Sequence, residues 1–136
     1  MPRSIALCAV LLVAATSLRA EIVHVDGHGL QRLLAADVAV IDIRTPEEWS
    51  ETGTIEGSHL LTLFDANGDH DIDAWLRMLD AVAGTGQPVA LICHGGKRSL
   101  KAARLLDGRP GDRRVYNVRH GIAGWIDEDR PVVAGP

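Results

Sequence analysis

Residues 91–99 read LICHGGKRS and bring a thiol, an imidazole, two glycines, two cations and a hydroxyl into nine positions. Cysteine attacks as thiolate, and cations, helix N-termini and backbone N–H groups all favour that form over the thiol. The stretch therefore reads as a nucleophile, Cys93, with its own electropositive setting. Gly95 and Gly96 permit a tight curve in which N–H groups turn inward, and Lys97 and Arg98 add positive charge. His94 lies in the same loop, where its backbone N–H matters more than its ring.

Such a loop needs a strand before it and a helix after it. Residues 88–92, PVALI, form a short apolar β-rich run entered by proline, which predicts a fully buried strand delivering Cys93 to a sheet edge. From Ser99 onward Leu100, Ala103, Leu105 and Leu106 recur near helical spacing, with Lys101 and Arg104 outward, until Gly108 and Pro110 stop the pattern.

The rest of the chain alternates in the same way. Strands are predicted at Ile22–Val25, 38–43, 58–63 and 114–118, and helices over 29–36, from Thr45-Pro46-Glu47-Glu48, over 72–82 and through Trp125. Trp49, Trp75 and Trp125 read as packing residues. This order implies an α/β fold, a central parallel sheet with helices on both faces, whose ligands bind outside the carboxyl ends of the strands. That edge gathers the loops after residues 42–44, 93 and 118, making Arg44, His120 and Gly121 neighbours of Cys93. Asp42 and Arg44 could support a substrate, although a strand-end Asp and an Arg near Glu47 and Glu48 more often fix a loop.

With 136 residues there is room for one domain. Arg3, the apolar run from Ile5 to Ala15 and the more polar TSLRA resemble a secretory signal peptide, cleaved after Ala20, so the expected organisation is signal peptide 1–20, domain 21–130 and a frayed tail 131–136. The expected location is periplasmic or secreted. Cleavage removes Cys8 and leaves Cys93 alone, so no internal disulfide can form. It also leaves 12 basic against 18 acidic residues, which argues against a nucleic-acid partner and makes the Lys97, Arg98, Lys101 and Arg104 cluster a local positive spot for a small anion. After cleavage no membrane association is expected.

Two other patterns read as structural. Asp65, Asn67, Asp69, Asp71 and Asp73 have the rhythm of a calcium loop, but His70 stands where glycine is required and Leu76 where a bidentate Glu is required, so a polar turn capping the next helix is expected. His24, His28, His59 and His70 lack metal-ligand spacing, and no metal site is predicted. A phosphatase reading fails on spacing, because phosphate requires a loop one residue longer than the four residues between Cys93 and Arg98. A thioredoxin-like reading fails for want of a second cysteine.

Four segments in order resemble the single-domain rhodaneses, or rhodanese-like sulfurtransferases: VIDIRTPEEW, GTIEGSHLL, CHGGKRS and VYNVRHGIAGW. Thr54, Ser58 and His120 depart from the usual His, Ala and Gly of those segments, and none of the three departures touches the nucleophile itself. The resemblance implies the rhodanese-like fold over nearly all of 21–130 and a ping-pong transfer of sulfane sulfur. Cys93 takes sulfur from thiosulfate or a similar donor as a persulfide and passes it to cyanide or another thiophilic acceptor. It implies no cofactor, a cradle formed by His94, Gly95, Gly96, Lys97, Arg98 and Ser99, and Lys97 and Arg98 on the sulfite oxygens. The alternative is a catalytically idle module of this fold that carries sulfur or binds a protein.

Overall fold

Every strand is four residues or shorter, and alternation within the central strands decides which helix each face receives. The computed structural model describes residues 21–136; the signal-peptide reading of 1–20 falls outside the described residues. In chain order the elements are β1 (Ile22–Val25), α1 (Gly27–Ala35), β2 (Ala39–Asp42), α2 (Pro46–Thr52), β3 (His59–Leu60), α3 (Ile72–Ala83), β4 (Val89–Ile92), α4 (Lys97–Leu106), β5 (Val115–Val118) and α5 (Gly121–Asp127). The strands pair in the order β1-β5-β4-β2-β3, all parallel. This is the α/β sheet expected from the strand and helix alternation.

Both faces are covered. Ile41, Val89 and Leu91 point to one side and pack with Trp75, Leu76 and Leu79 of α3 and Ala102, Ala103 and Leu106 of α4. Val40, Ala90 and Ile92 point to the other and pack with Leu30 of α1 and Ile122 and Trp125 of α5. Because side chains alternate along a strand, Cys93 continues the Val89–Leu91 row and arrives on the α4 face.

Local chemistry sets the element ends. Asp26 accepts from Gly29 N at 2.8 Å, so α1 begins at Gly27, two residues before the expected start. Thr45 and Glu48 close a capping box at α2, with Pro46 in its first turn. Asp71 caps α3 through Ala74 N, and Asp65 accepts from Asn67 N and Asp69 N, so the carboxylates of the calcium-like stretch organise a turn. Strand β3 is shorter than the predicted 58–63. Ser58 is held in a turn by Ile55 O, and beyond Leu60 regular pairing gives way to single bonds, Leu61 N and Leu63 N donating to Asp42 O and Ile43 O and Thr62 Oγ1 to Arg44 O.

The segment 131–136, expected to be frayed, is docked. Thr54 and Val133 form an antiparallel bridge with N–H···O distances of 2.9 and 2.8 Å, and Pro131 O accepts from the indole of Trp125 at 2.8 Å. Leaving a buried indole N–H without an acceptor is costly, and for Trp125 the tail supplies one.

Candidate active site

Cys93 follows the innermost strand, in which all four residues are buried, and is itself 1% exposed. Its Sγ accepts from Gly96 N at 3.1 Å and Ser99 N at 3.4 Å, and lies 3.3 Å from Ser99 Oγ. The helix that follows has no side-chain cap; the sulfur stands where the cap oxygen of a Ser or Asp would, accepting from the third residue of the first turn. This moves the start of α4 to Lys97 instead of the expected Ser99, and places Lys97 and Arg98 in the helix, leaving only His94, Gly95 and Gly96 in the loop.

The two glycines have different duties. Gly96 sits at φ +100°, and a Cβ there would collide with the carbonyl of Arg119. Gly95 has no positive φ and open space around its Cα, so the turn is made by Gly96 alone. Gly121, at φ +59°, admits the Cys93 and His94 carbonyls against the start of α5. Ile122 N and Ala123 N donate to those carbonyls at 2.9 and 3.0 Å, which fixes the peptide planes of the loop.

Arg98 faces α2. Its Nη1 and Nη2 donate to the two carboxylate oxygens of Glu48 at 2.9 and 2.5 Å. The Arg98 bond, with help from Thr45 N, lowers the Glu48 carboxyl to about 2, and the same bond raises Arg98 above its usual value, with the charge on Cys93 a smaller contribution. Lys97 and His94 are exposed, and Ser99 is fully buried.

Asp42 and Arg44 form a buried clamp, at 1% and 0% exposure. Arg44 Nε and Nη2 meet the Asp42 carboxylate at 2.8 to 3.2 Å, Nη1 donates to Thr52 Oγ1 and Glu48 O, and Nη2 also donates to Gly53 O. All five guanidinium protons are used, so the pair supports the site by tying α2 to the end of β2. His120 is exposed at the start of α5.

A groove of about 770 Å³ flanks the first turn of α4 through Arg98, with Thr45, Pro46, Glu48, Phe64 and Lys101 among its lining residues. Lys101 Nζ lies 4.9 Å from the Phe64 ring centre, a cation–π contact that holds its charge at this rim. Cys93 is not part of the lining. Three residues escape a reading of the sequence: Glu48 as the partner of Arg98, and Asn117 and His24, reached from the cysteine through Ser99. Sequence separations of 50 and 93 residues between bonded partners leave no local signal.

A parallel sheet covered on both sides, with a cysteine from its central strand capping the next helix, defines the class of fold and site. Residues 28–128 match the rhodanese-like domain family, and the chain belongs to it. Thiosulfate sulfurtransferase 18 of Arabidopsis thaliana is 27% identical over 116 residues, covering 82% of this chain and 84% of that protein. A rhodanese-related protein of Thermoplasma volcanium superimposes with a TM-score of 0.62 at 28% identity, over 82% of this chain and 98% of its own. CoADR-RHD of Bacillus anthracis gives a TM-score of 0.62 at 25% identity, and there the chain spans only 18% of the longer protein. The family supports sulfur transfer as the general chemistry. Among the described residues no helix is long and apolar enough to cross a membrane.

Proposed function

We propose that this protein is a sulfurtransferase that takes sulfane sulfur from thiosulfate, or a donor like it, onto Cys93 and passes it to cyanide or another thiophilic acceptor. The observation that carries the reading is the sulfur of Cys93 at the N-terminus of α4, accepting from Gly96 N and Ser99 N. Two cations in the first turn of a helix oppose its dipole, and an anionic sulfur beside them offsets that repulsion.

In the first half-reaction the Cys93 thiolate attacks the outer sulfur of thiosulfate. A sulfur–sulfur bond forms to Cys93, the sulfur–sulfur bond of thiosulfate breaks, and sulfite leaves with that electron pair. In the second, cyanide attacks the outer sulfur of the persulfide, thiocyanate departs, and the thiolate returns. Charge is conserved in both steps, and no proton or external reductant is consumed. The amide cradle faces an anion throughout, first thiolate and then persulfide, so it needs no rearrangement between half-reactions. Lys97, exposed at the start of α4, meets the sulfonate oxygens; Arg98, held by Glu48, contributes its field at a fixed position. We also propose that residues 1–20 direct export and are removed, which the mass of protein recovered from an extracytoplasmic fraction tests.

Intact-protein mass spectrometry after thiosulfate treatment tests the chemistry. The expected result is a gain of one sulfur atom, removed by cyanide with release of thiocyanate and absent in Cys93→Ser. An unmodified protein with a free thiol overturns the reading in favour of an idle module.

A further inference from the structure

Cys93 lies at one end of a hydrogen-bonded chain whose other end is at the surface. Ser99 Oγ lies 3.3 Å from Cys93 Sγ and 2.6 Å from Asn117 Oδ1, and Asn117 Nδ2 lies 3.1 Å from His24 Nδ1. Ser99 and Asn117 are 0% and 2% exposed, whereas His24 is exposed. His24 and Asn117 are register partners in the parallel β1–β5 pair, so both project on one face of the sheet, the α4 face. The path thus runs from the end of β4, through the first turn of α4 and across β5, to the outer strand. The buried amide of Asn117 is costly unless satisfied, and Ser99 and His24 satisfy it from opposite sides.

Proton counting gives the chain two settings. Ser99 has one hydroxyl proton, and the Asn117 amide has an accepting and a donating end of nearly equal shape. In the first, the hydroxyl donates to Asn117 Oδ1, so toward Cys93 it can only accept, which suits a thiol. Asn117 Nδ2 donates to His24 Nδ1, which must then be bare. A proton on Nδ1 sets donor against donor. A half-turn of the amide relieves this and gives the second setting: Oδ1 accepts from His24, Nδ2 donates to Ser99 Oγ, and the freed hydroxyl donates to Cys93. The sulfur then has a third donor beside Gly96 N and Ser99 N, which suits thiolate or persulfide.

We propose that His24 is a positioning residue for Cys93, setting through Asn117 and Ser99 whether the hydroxyl beside the sulfur holds the anion or the thiol. The proposal deepens the sulfur-transfer reading and rests on Cys93 as its nucleophile. No proton travels along the chain; the groups between His24 and Cys93 only reorient. Imidazole ordinarily changes charge between about pH 5 and 8, so the setting responds to ordinary changes in acidity.

Other charges bear on both ends. A cavity of about 380 Å³ beside His24 is lined by Asp26 and Arg32, and by Arg119 and His120 after β5. Asp26 is held ionised, chiefly by the bond from Gly29 N, and favours a charged ring, whereas Arg32, Arg119 and a protonated His120 oppose it. At the cysteine end stand His94, Lys97 and Arg98, with Glu48 on Arg98 and Asp42 beyond.

Nuclear magnetic resonance of the full chain, with labelled histidine rings and cysteine Cβ, tests the coupling without turnover; Cys93→Ser assigns Cys93 apart from Cys8. Coupling is reciprocal, so the His24 ring signals are expected to differ between the parent and Cys93→Ala across the same pH range. His24→Phe is expected to lower the thiolate-to-thiol ratio of Cys93 near pH 6 by about fivefold, the ordinary worth of one hydrogen bond. Ser99→Ala and Asn117→Leu keep every charge and cut the chain, and in each the response of Cys93 to His24 is expected to vanish. Coupling that persists in the folded cut variants is a field effect and overturns the proposal, as does no coupling in the parent. Thiosulfate labelling distinguishes the two failures: sulfur uptake without coupling sinks only the relay, and coupling without uptake sinks only the transferase.

Discussion

Two adjacent glycines in the cysteine loop carry unequal burdens, and the difference is measurable. Gly96 combines φ +100° with a Cα pressed against the Arg119 carbonyl, whereas Gly95 has open space around it. An alanine at 96 takes on left-handed strain of about 1–3 kcal/mol plus a clash with backbone that cannot move aside. Gly96→Ala is therefore expected to lower the urea midpoint clearly and to abolish sulfur uptake, since Gly96 N is one of the two amides on Cys93 Sγ. Gly95→Ala is expected to unfold within about 0.5 kcal/mol of the parent, as an ordinary surface change does, and to keep its uptake. Equal losses in the two variants would contradict this division of labour.

Among the elements, α2 and α4 are coupled by a single carboxylate. Glu48 accepts from Thr45 N within its own capping box and receives both η nitrogens of Arg98. Its carboxyl is lowered from 4.5 to about 2, chiefly by Arg98. A carboxyl lowered in the folded state binds fewer protons than in the unfolded chain, so its stabilisation is complete above 4.5 and fades as pH falls toward about 2. Glu48→Gln keeps a capping oxygen and removes the charge. At pH 7 it is expected to cost about 1 kcal/mol, the modest worth of a partly exposed pair. Urea unfolding of parent and variant at several pH values is expected to show the two curves converging toward about pH 2; a constant offset down to that pH would refute the assignment.

What can be read from the chain follows the range of each interaction. Cys93 with its glycines and cations, the box at Thr45-Pro46-Glu47-Glu48 and the alternating strands are local patterns, and each points to an element of the right type. The start of α4 differs from the expected Ser99 because its cap acceptor is a sulfur, which no residue preference for helix caps includes. Arg98 reads as a free cation for sulfite because its partner lies 50 residues away. The Asp42–Arg44 clamp is legible because the two are neighbours on one strand end. Strand β3 ends earlier than its apolar run because the bonds of Leu61 N and Leu63 N fall to consecutive carbonyls, Asp42 O and Ile43 O, and the regular register is lost.

At the scale of the whole molecule, the last six residues close the structure on the side opposite α4. Val133 exchanges two backbone hydrogen bonds with Thr54, and Pro131 O is the acceptor for the indole N–H of Trp125, which packs with Leu30, Val40 and Ile92. Gly135 lies close against the backbone of Trp49 and Ser50 in α2. Removing residues 131–136 strands a buried donor, a loss of about 1–3 kcal/mol, and uncovers α2 as well. The Cys93 loop draws its bonds from α4, β5 and α5, none of which the tail supplies. The truncated chain is therefore expected to unfold at lower urea while still gaining one sulfur from thiosulfate well below its midpoint. An unchanged midpoint would mean that the docked tail adds nothing to stability, and loss of uptake in the folded truncated chain would mean that α2 transmits its state to the cysteine through the Glu48–Arg98 pair.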